Sequence, residues 1–452
     1  MQAGEDAAIA PGAPDRRVAA TDPRLIVDTA AMSRFQWGIV ATMVGLNALD
    51  GFDVLSISFA SPGIAAALGV DRAALGIVLS MELIGMAIGS LVLGGVADRI
   101  GRRATILGCL MVMATGMLGA STAQGVTGLS LWRVLTGLGI GGMLAATNAA
   151  VAEAANARRR ALCVVLMASG YPVGSVIGGS ISAVLLARYD WQAVFLFGGV
   201  ATLCFIPLVL RFAPESIAFL MHRRPPDALA RINRSLERMG HPTIDVLPAP
   251  EPRPVKVPLV ELFSPVFAHV TGLLTLAYLM HIMTFYFIVK WIPKIVVDMG
   301  FAAPLAAGVL VWASVGGATG ALLLGLLTAR VRLLGLTIAA MLLSTVLVIV
   351  FGQERTDLAA LSAIAALAGF ATNAAVVGLY ALIAQSFPTA MRATATGFVI
   401  GIGRGGSALA PALAGLLFAA GYGLSSVAML MAGGSAIAAA ALFALGRRTT
   451  AA

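Results

Sequence analysis

Twelve apolar runs, each about as long as a bilayer is thick, follow one another along this 452-residue chain. A helix needs about 20 such residues to cross a hydrocarbon core roughly 30 Å thick. Spans 1 to 6 are read near 35–60, 73–96, 104–122, 127–149, 161–186 and 191–210; spans 7 to 12 near 267–290, 305–328, 333–351, 358–384, 393–419 and 424–445. One soluble core cannot hide them all, because cores stop growing well before that size. A hydrophobic share of 59% against 11% charged residues agrees, so the expected fold class is an all-α membrane protein with twelve transmembrane helices.

Between spans 6 and 7 the apolar runs vanish. ESIAFLMHRRPPDALARINRSLERMG reads as one or two amphipathic surface helices, and PAPEPRPVKVP as an extended Pro-rich piece. The expected organisation is an N-terminal tail (1–34), a six-helix bundle (35–211), a linker (212–265), a second six-helix bundle (266–446) and a short C-terminal tail (447–452). The tail has no apolar h-region, so no signal peptide is expected. Cys109, Cys163 and Cys204 lie in apolar runs without paired spacing, which suggests neither disulfides nor a metal site.

Most of the 30 Lys and Arg residues fall on one side of this pattern, among them Arg99, Arg102, Arg103, Arg158, Arg159, Arg160, Arg330, Arg332, Arg392 and the linker arginines. The positive-inside rule puts that side, with both termini, in the cytoplasm of a cell whose inner membrane the chain spans. The net charge of +9 is then a topology signal, with no nucleic-acid partner implied. The halves also repeat: EAANARRRALCVVLMASGYPVGS (153–175) aligns without a gap on QSFPTAMRATATGFVIGIGRGGS (385–407), matching Arg160 to Arg392, Gly174 to Gly406 and Ser175 to Ser407. Two parallel six-helix repeats with a site near the midplane are the build of a rocking transporter.

After span 2 comes GGVADRIGRRAT (94–105), a tight turn with one acid and three arginines. Small residues there allow close helix approach, and Asp98 can cap a helix or pair with a base. The spacing G-x-x-x-D-R-x-G-R-R closely resembles the signature loop of the major facilitator superfamily. With DGFD in span 1, RVLTGLGIGG in span 4 and GIGRGGSALAP in span 11, the chain further resembles the aromatic acid:proton symporters of that superfamily. The resemblance implies the major facilitator fold of two pseudo-symmetric halves, and gating roles for Gly94, Asp98, Arg99, Gly101, Arg102, Arg103, Glu153, Arg160 and Arg392. The second copy of the loop, GLLTARVRLLG, lacks the aspartate, which implies a looser lock. GYPVGSVIGG in span 5 resembles, imperfectly, a glycine-proline motif of drug:proton antiporters.

Charged side chains inside a bilayer cost about 2.5–3.5 kcal/mol each, so those that remain pair or line an aqueous path. In LNALDGFDVLSISFASPG, Asp50 and Asp53 stand one turn apart on one face of span 1. At ~1.5 Å per residue Asp50 and Arg133 of span 4 come to similar depth. Since spans 1 and 4 line the cavity in the superfamily, the resemblance implies an Asp50–Arg133 pair with Asp53 near the outer mouth. Two carboxylates so close compete to be ionised, and together with Arg133 they form the expected proton site. The plain alternative is a structural role around Gly51.

Arg404, flanked by glycines, is the expected receptor for a substrate carboxylate, with a lock on span 7 or 10 as its alternative. Tyr286, His281, Asn373 and Tyr380 are further candidate substrate contacts. For His281 the alternative is a hydrogen-bonded core residue, and for Asn373 and Tyr380 glue between helices. Trp291 and Lys294 read as an interfacial belt, and Glu82 as a buried partner of an arginine or an internally hydrogen-bonded acid, with transport chemistry as its alternative. The functional expectation is proton-coupled uptake of a small organic anion, an aromatic carboxylate, by a monomer that needs no cofactor beyond the proton gradient. A proton-coupled exporter and a non-transporting sensor are the alternatives. No catalytic constellation or phosphate loop points to an enzyme.

Overall fold

The computed structural model describes residues 22–249, 258–353 and 356–449; Gly94 and Asp98, two of the expected gating residues, have side-chain surroundings outside the described set. Among the described residues, twelve helices are long and apolar enough to cross a membrane. Spans 1 to 6 are Arg34–Leu68, Arg72–Ile100, Arg102–Ser121, Val126–Ala154, Arg160–Leu186 and Gln192–Phe212; spans 7 to 12 are Ala268–Asp298, Ala303–Leu327, Leu333–Phe351, Leu358–Ser386, Thr389–Ala419 and Leu424–Thr449.

Local chemistry sets several of these ends. Ser33 and Gln36 form a reciprocal capping box at the start of span 1, and Gly69 ends it in the left-handed region at φ 59°. Asp71 caps span 2 and Asp357 caps span 10. Several helices outrun their apolar windows. Span 7 continues eight residues past Lys290, because that lysine is wholly buried among partners and does not end the helix at a membrane surface.

Within each half, glycines let helix backbones touch. A Cβ on Gly174 would stand 1.7 Å from the Ala48 carbonyl oxygen, one on Gly170 would stand 2.4 Å from that of Val44, and one on Gly178 would meet the Phe52 ring. Span 5 thus seats span 1 along one glycine ridge. The repeat partner Gly406 does the same for span 11 against span 7, its Cβ meeting the Leu279 carbonyl oxygen at 2.8 Å. The glycine motif of span 5 is therefore used for packing.

The halves meet where span 2 packs on span 11, span 5 on span 8, and span 1 on span 7. Among the described residues, the polar links between them run from the end opposite the chain termini to mid-bundle. They are Arg72 to Asp298 at 3.1 Å, the Ala412 amide to Ser80 Oγ at 3.1 Å, Lys290 to Glu82 at 3.2 Å and to the Val54 carbonyl, and Arg404 to the Met86 carbonyl at 3.1 Å. At the terminal end, helices Ile217–Arg223 and Ala228–Met239 lie on the first half and bury Leu220, Ile232 and Leu236, so the linker begins as part of that half's surface.

Candidate functional site

Six charged residues lie deep inside the spans, and the structure gathers them differently from the sequence reading. Glu82 of span 2 is fully buried, with Oε1 2.6 Å from Arg133 Nη2 and Oε2 3.2 Å from Lys290 Nζ. Arg133 donates from Nη2 to the Asp53 backbone carbonyl at 3.0 Å and from Nη1 to Met117 Sδ at 3.0 Å, with its guanidinium 5.2 Å from the Phe195 ring centroid. Lys290 also donates to the Val54 carbonyl. The expected Asp50–Arg133 pair is thus replaced by Glu82–Arg133, because span 2 packs along span 4 through Gly85 and Gly137 and brings Glu82 level with the guanidinium.

Asp53 does not sit at an outer mouth. Span 1 is 35 residues long, so Asp50 and Asp53 lie in its middle, and Asp53 is wholly buried. Asp50 Oδ1 and both Asp53 carboxylate oxygens are buried and accept no hydrogen bond among the described residues. Orphaned acid oxygens are rare and expensive in a protein interior. Such groups stay where a proton or a rearranged partner completes them.

Where the halves meet, four of the chain's 6 tyrosines converge, three from the second half and one from the first. Tyr278 and Tyr380 join through their hydroxyls at 3.1 Å, and a Cβ on Gly403, beside Arg404, would strike the Tyr278 ring. Tyr286 stacks edge-on to Phe285 at 5.2 Å and lies within electrostatic range of Tyr380, Arg404 and Glu82. Tyr171 of span 5 interacts with Tyr286, Glu82 and Asp50 from the first half. Tyr171, Tyr286 and Arg404 are half-buried and Tyr380 is exposed. Rings, hydroxyls and a guanidinium therefore come together where the halves meet, most of them still partly exposed. Sequence reasoning missed Tyr171 and Tyr278; the signal was the scarcity of tyrosine in so apolar a chain.

Two candidates fall elsewhere. His281 is fully buried, its Nδ1 2.8 Å from Ser435 Oγ and its Nε2 2.9 Å from the Thr372 carbonyl. It fastens spans 7, 10 and 12. Asn373 donates to the Gly317 carbonyl at 2.7 Å and ties span 10 to span 8. Trp291 is not part of a surface belt: it is 1% exposed and donates from Nε1 to the Pro411 carbonyl at 3.2 Å.

The gating residues build a network at the terminal end of the first half. Gly101 turns with φ 104°, and the Glu215 carboxylate fills the space a Cβ would need. Glu215 Oε1 accepts from the amides of Arg102 at 2.8 Å and Ser216 at 3.0 Å, which satisfies the exposed start of span 3. Arg102 reaches Glu153 at 3.4 Å, Ser216 donates to Glu153, and Arg103 donates to the Leu210 carbonyl at 3.0 Å. Arg160 pairs with Asp28, while Arg99 and Arg392 are exposed. Glu215 was not foreseen, since Arg102 and Arg103, whose amides it accepts, lie more than a hundred residues away in the sequence.

Comparison with known proteins fits this architecture. The Major Facilitator Superfamily model matches residues 43–354. A gallate transporter of Pseudomonas putida is 30% identical over 88% of this chain and 89% of its own length. The 4-hydroxybenzoate transporter PcaK of Acinetobacter baylyi is 29% identical over 93% of each chain. The partially occluded, inward-open xylose transporter XylE from E. coli superimposes with a TM-score of 0.69 at 15% identity, covering 90% of this chain and 97% of that one, which establishes the shared fold. The chain is a multi-pass membrane transporter, not an enzyme, and it belongs to the Major Facilitator Superfamily.

Proposed function

We propose that the protein takes up small aromatic carboxylates together with protons across the bacterial inner membrane, as a monomer, with both termini and the linker in the cytoplasm. The observation that carries this reading is the gathering of tyrosine rings and Arg404 beside buried acids where the halves meet. A flat ring stacks on tyrosine faces. The free side of the Arg404 guanidinium takes the carboxylate as a planar fork, and the Tyr278–Tyr380 hydroxyl pair has hydrogen-bonding capacity left for a ring hydroxyl. The curated relatives, named for gallate and 4-hydroxybenzoate, support the substrate class.

Proton coupling follows from Asp50 and Asp53. Asp53, without a donor on either oxygen, carries the proton, and Arg133 is the base to which it turns when that proton leaves. With the basic residues inside, the end that carries the Arg72–Asp298 link is the outer end. Counterflow of labelled 4-hydroxybenzoate in proteoliposomes tests the reading. Saturable exchange, competed by gallate and benzoate and reduced at least tenfold by Arg404→Gln, is expected; no exchange by folded protein contradicts it.

A further inference from the structure

The interior charges balance. Asp50, Asp53 and Glu82 are the acids, and Arg133, Lys290 and Arg404 the bases, that lie more than about five residues, or ~8 Å, from the end of a span. Within the spans, Asp50, Asp53, Glu82, Arg133 and Lys290 are the buried ions among the described residues, with Arg404 half-buried beside them. Fully ionised, the set has no net charge. Its members are also linked: Glu82 holds Arg133 of its own half and Lys290 of the other, and Arg404 reaches across to span 2.

Lys290 has no part in the proton site or in the substrate contacts assigned above, yet it is wholly buried and is the sole cation of span 7 at this depth. Around it, Glu82 of span 2 and the Val54 carbonyl of span 1 take its protons, and Arg133 of span 4 lies within electrostatic range. We propose that Lys290 is the coupling residue of this carrier: by completing a neutral set of interior ions across the two halves, it makes entry of one carboxylate conditional on entry of one proton. A bare anion added to the neutral set leaves one uncompensated charge in a medium of low polarity, and so does a proton alone. Each such charge costs several kcal/mol. Anion and proton together restore neutrality, and the loaded carrier moves without net charge. The inference rests on the aromatic-acid reading and adds its stoichiometry and the residue that fixes it.

The test uses the full chain in proteoliposomes with labelled 4-hydroxybenzoate, driven either by an inward proton gradient or by a valinomycin potential at equal pH. The wild type is expected to accumulate substrate on the proton gradient alone, with one proton entering per molecule. Lys290→Met leaves the set one negative charge in excess, so accumulation falls about tenfold or more. Adding Glu82→Gln makes the set neutral again and recovers most of it, although both variants lack the cross-half pair. A residue that merely held the halves together would show no such recovery. Uptake by the wild type that the potential drives, or a double variant no better than Lys290→Met, overturns the inference while leaving aromatic-acid transport standing. No saturable uptake by folded wild type overturns that reading and the inference with it.

Discussion

Adding one methyl group at Gly174 should disable transport without touching any charged residue. The Cβ of Gly174→Ala would stand 1.7 Å from the Ala48 carbonyl oxygen, whereas carbon and oxygen approach no closer than about 3.3 Å. Span 1 must therefore retreat by roughly 1.6 Å from span 5. Over-packing of this kind costs about 1–3 kcal/mol, and more where backbone is the obstacle. Ala48 is two residues before Asp50, so the retreat carries Asp50 and Asp53 with it. A misplacement of about 1 Å at a working group costs on the order of a hundredfold in rate. Purified variant and wild type would be compared by thermal unfolding in detergent and by initial uptake in proteoliposomes, with Gly108→Ala as control, since its Cβ meets nothing within 4 Å. A melting temperature lowered by several degrees and uptake reduced more than tenfold are expected for Gly174→Ala, and neither for the control. A Gly174→Ala protein that melts and transports like wild type would refute the account of how span 5 positions the acids.

Further predictions follow from other contacts. Tyr380→Phe removes the hydroxyl that pairs with Tyr278, so KM for 4-hydroxybenzoate should rise about three- to tenfold, the equivalent of one hydrogen bond, while KM for benzoate stays unchanged in the same counterflow assay. Arg404→Lys keeps the charge but loses the fork, and KM for both acids should rise about tenfold. Glu215→Ala leaves the first amides of span 3 without their acceptor and should cost about 0.5–2 kcal/mol, read as a lowered melting temperature. His241, outside the spans and 3.2 Å from the Gln36 side-chain oxygen, is held below its usual pKa of 6.5 by burial. The unfolded chain therefore binds the proton first, so its contribution is present above about pH 6.5 and is lost as the pH falls below it. The acid-side decline in melting temperature should be shallower for His241→Asn.

Spans, repeat and signature loop were legible because each is written in contiguous residues. Hydropathy marks a span locally, and the gapless match of 153–175 to 385–407 put Gly174 and Gly406 in one role, which both fulfil as contacts for the neighbouring span. Partner choice was not legible. Arg133 could be assigned a depth but not an azimuth around span 4, and the azimuth gives it to Glu82 rather than Asp50. Lys290 read both as a buried charge and as the end of span 7, and Trp291 as a belt, because an apolar window cannot distinguish a cation leaving the membrane from one buried against another span. His281 and Asn373 looked available to substrate because their partners, Ser435, Thr372 and Gly317, lie far along the chain.

The account's central claim, uptake of an aromatic acid coupled to a proton carried in span 1, is tested most directly by one comparison. Accumulation of labelled 4-hydroxybenzoate would be measured in proteoliposomes with and without an inward proton gradient, for wild type and Asp53→Asn. Gradient-driven accumulation by the wild type, reduced in Asp53→Asn to the level seen without a gradient, is the predicted result. Equal accumulation by both proteins on the same gradient would contradict it.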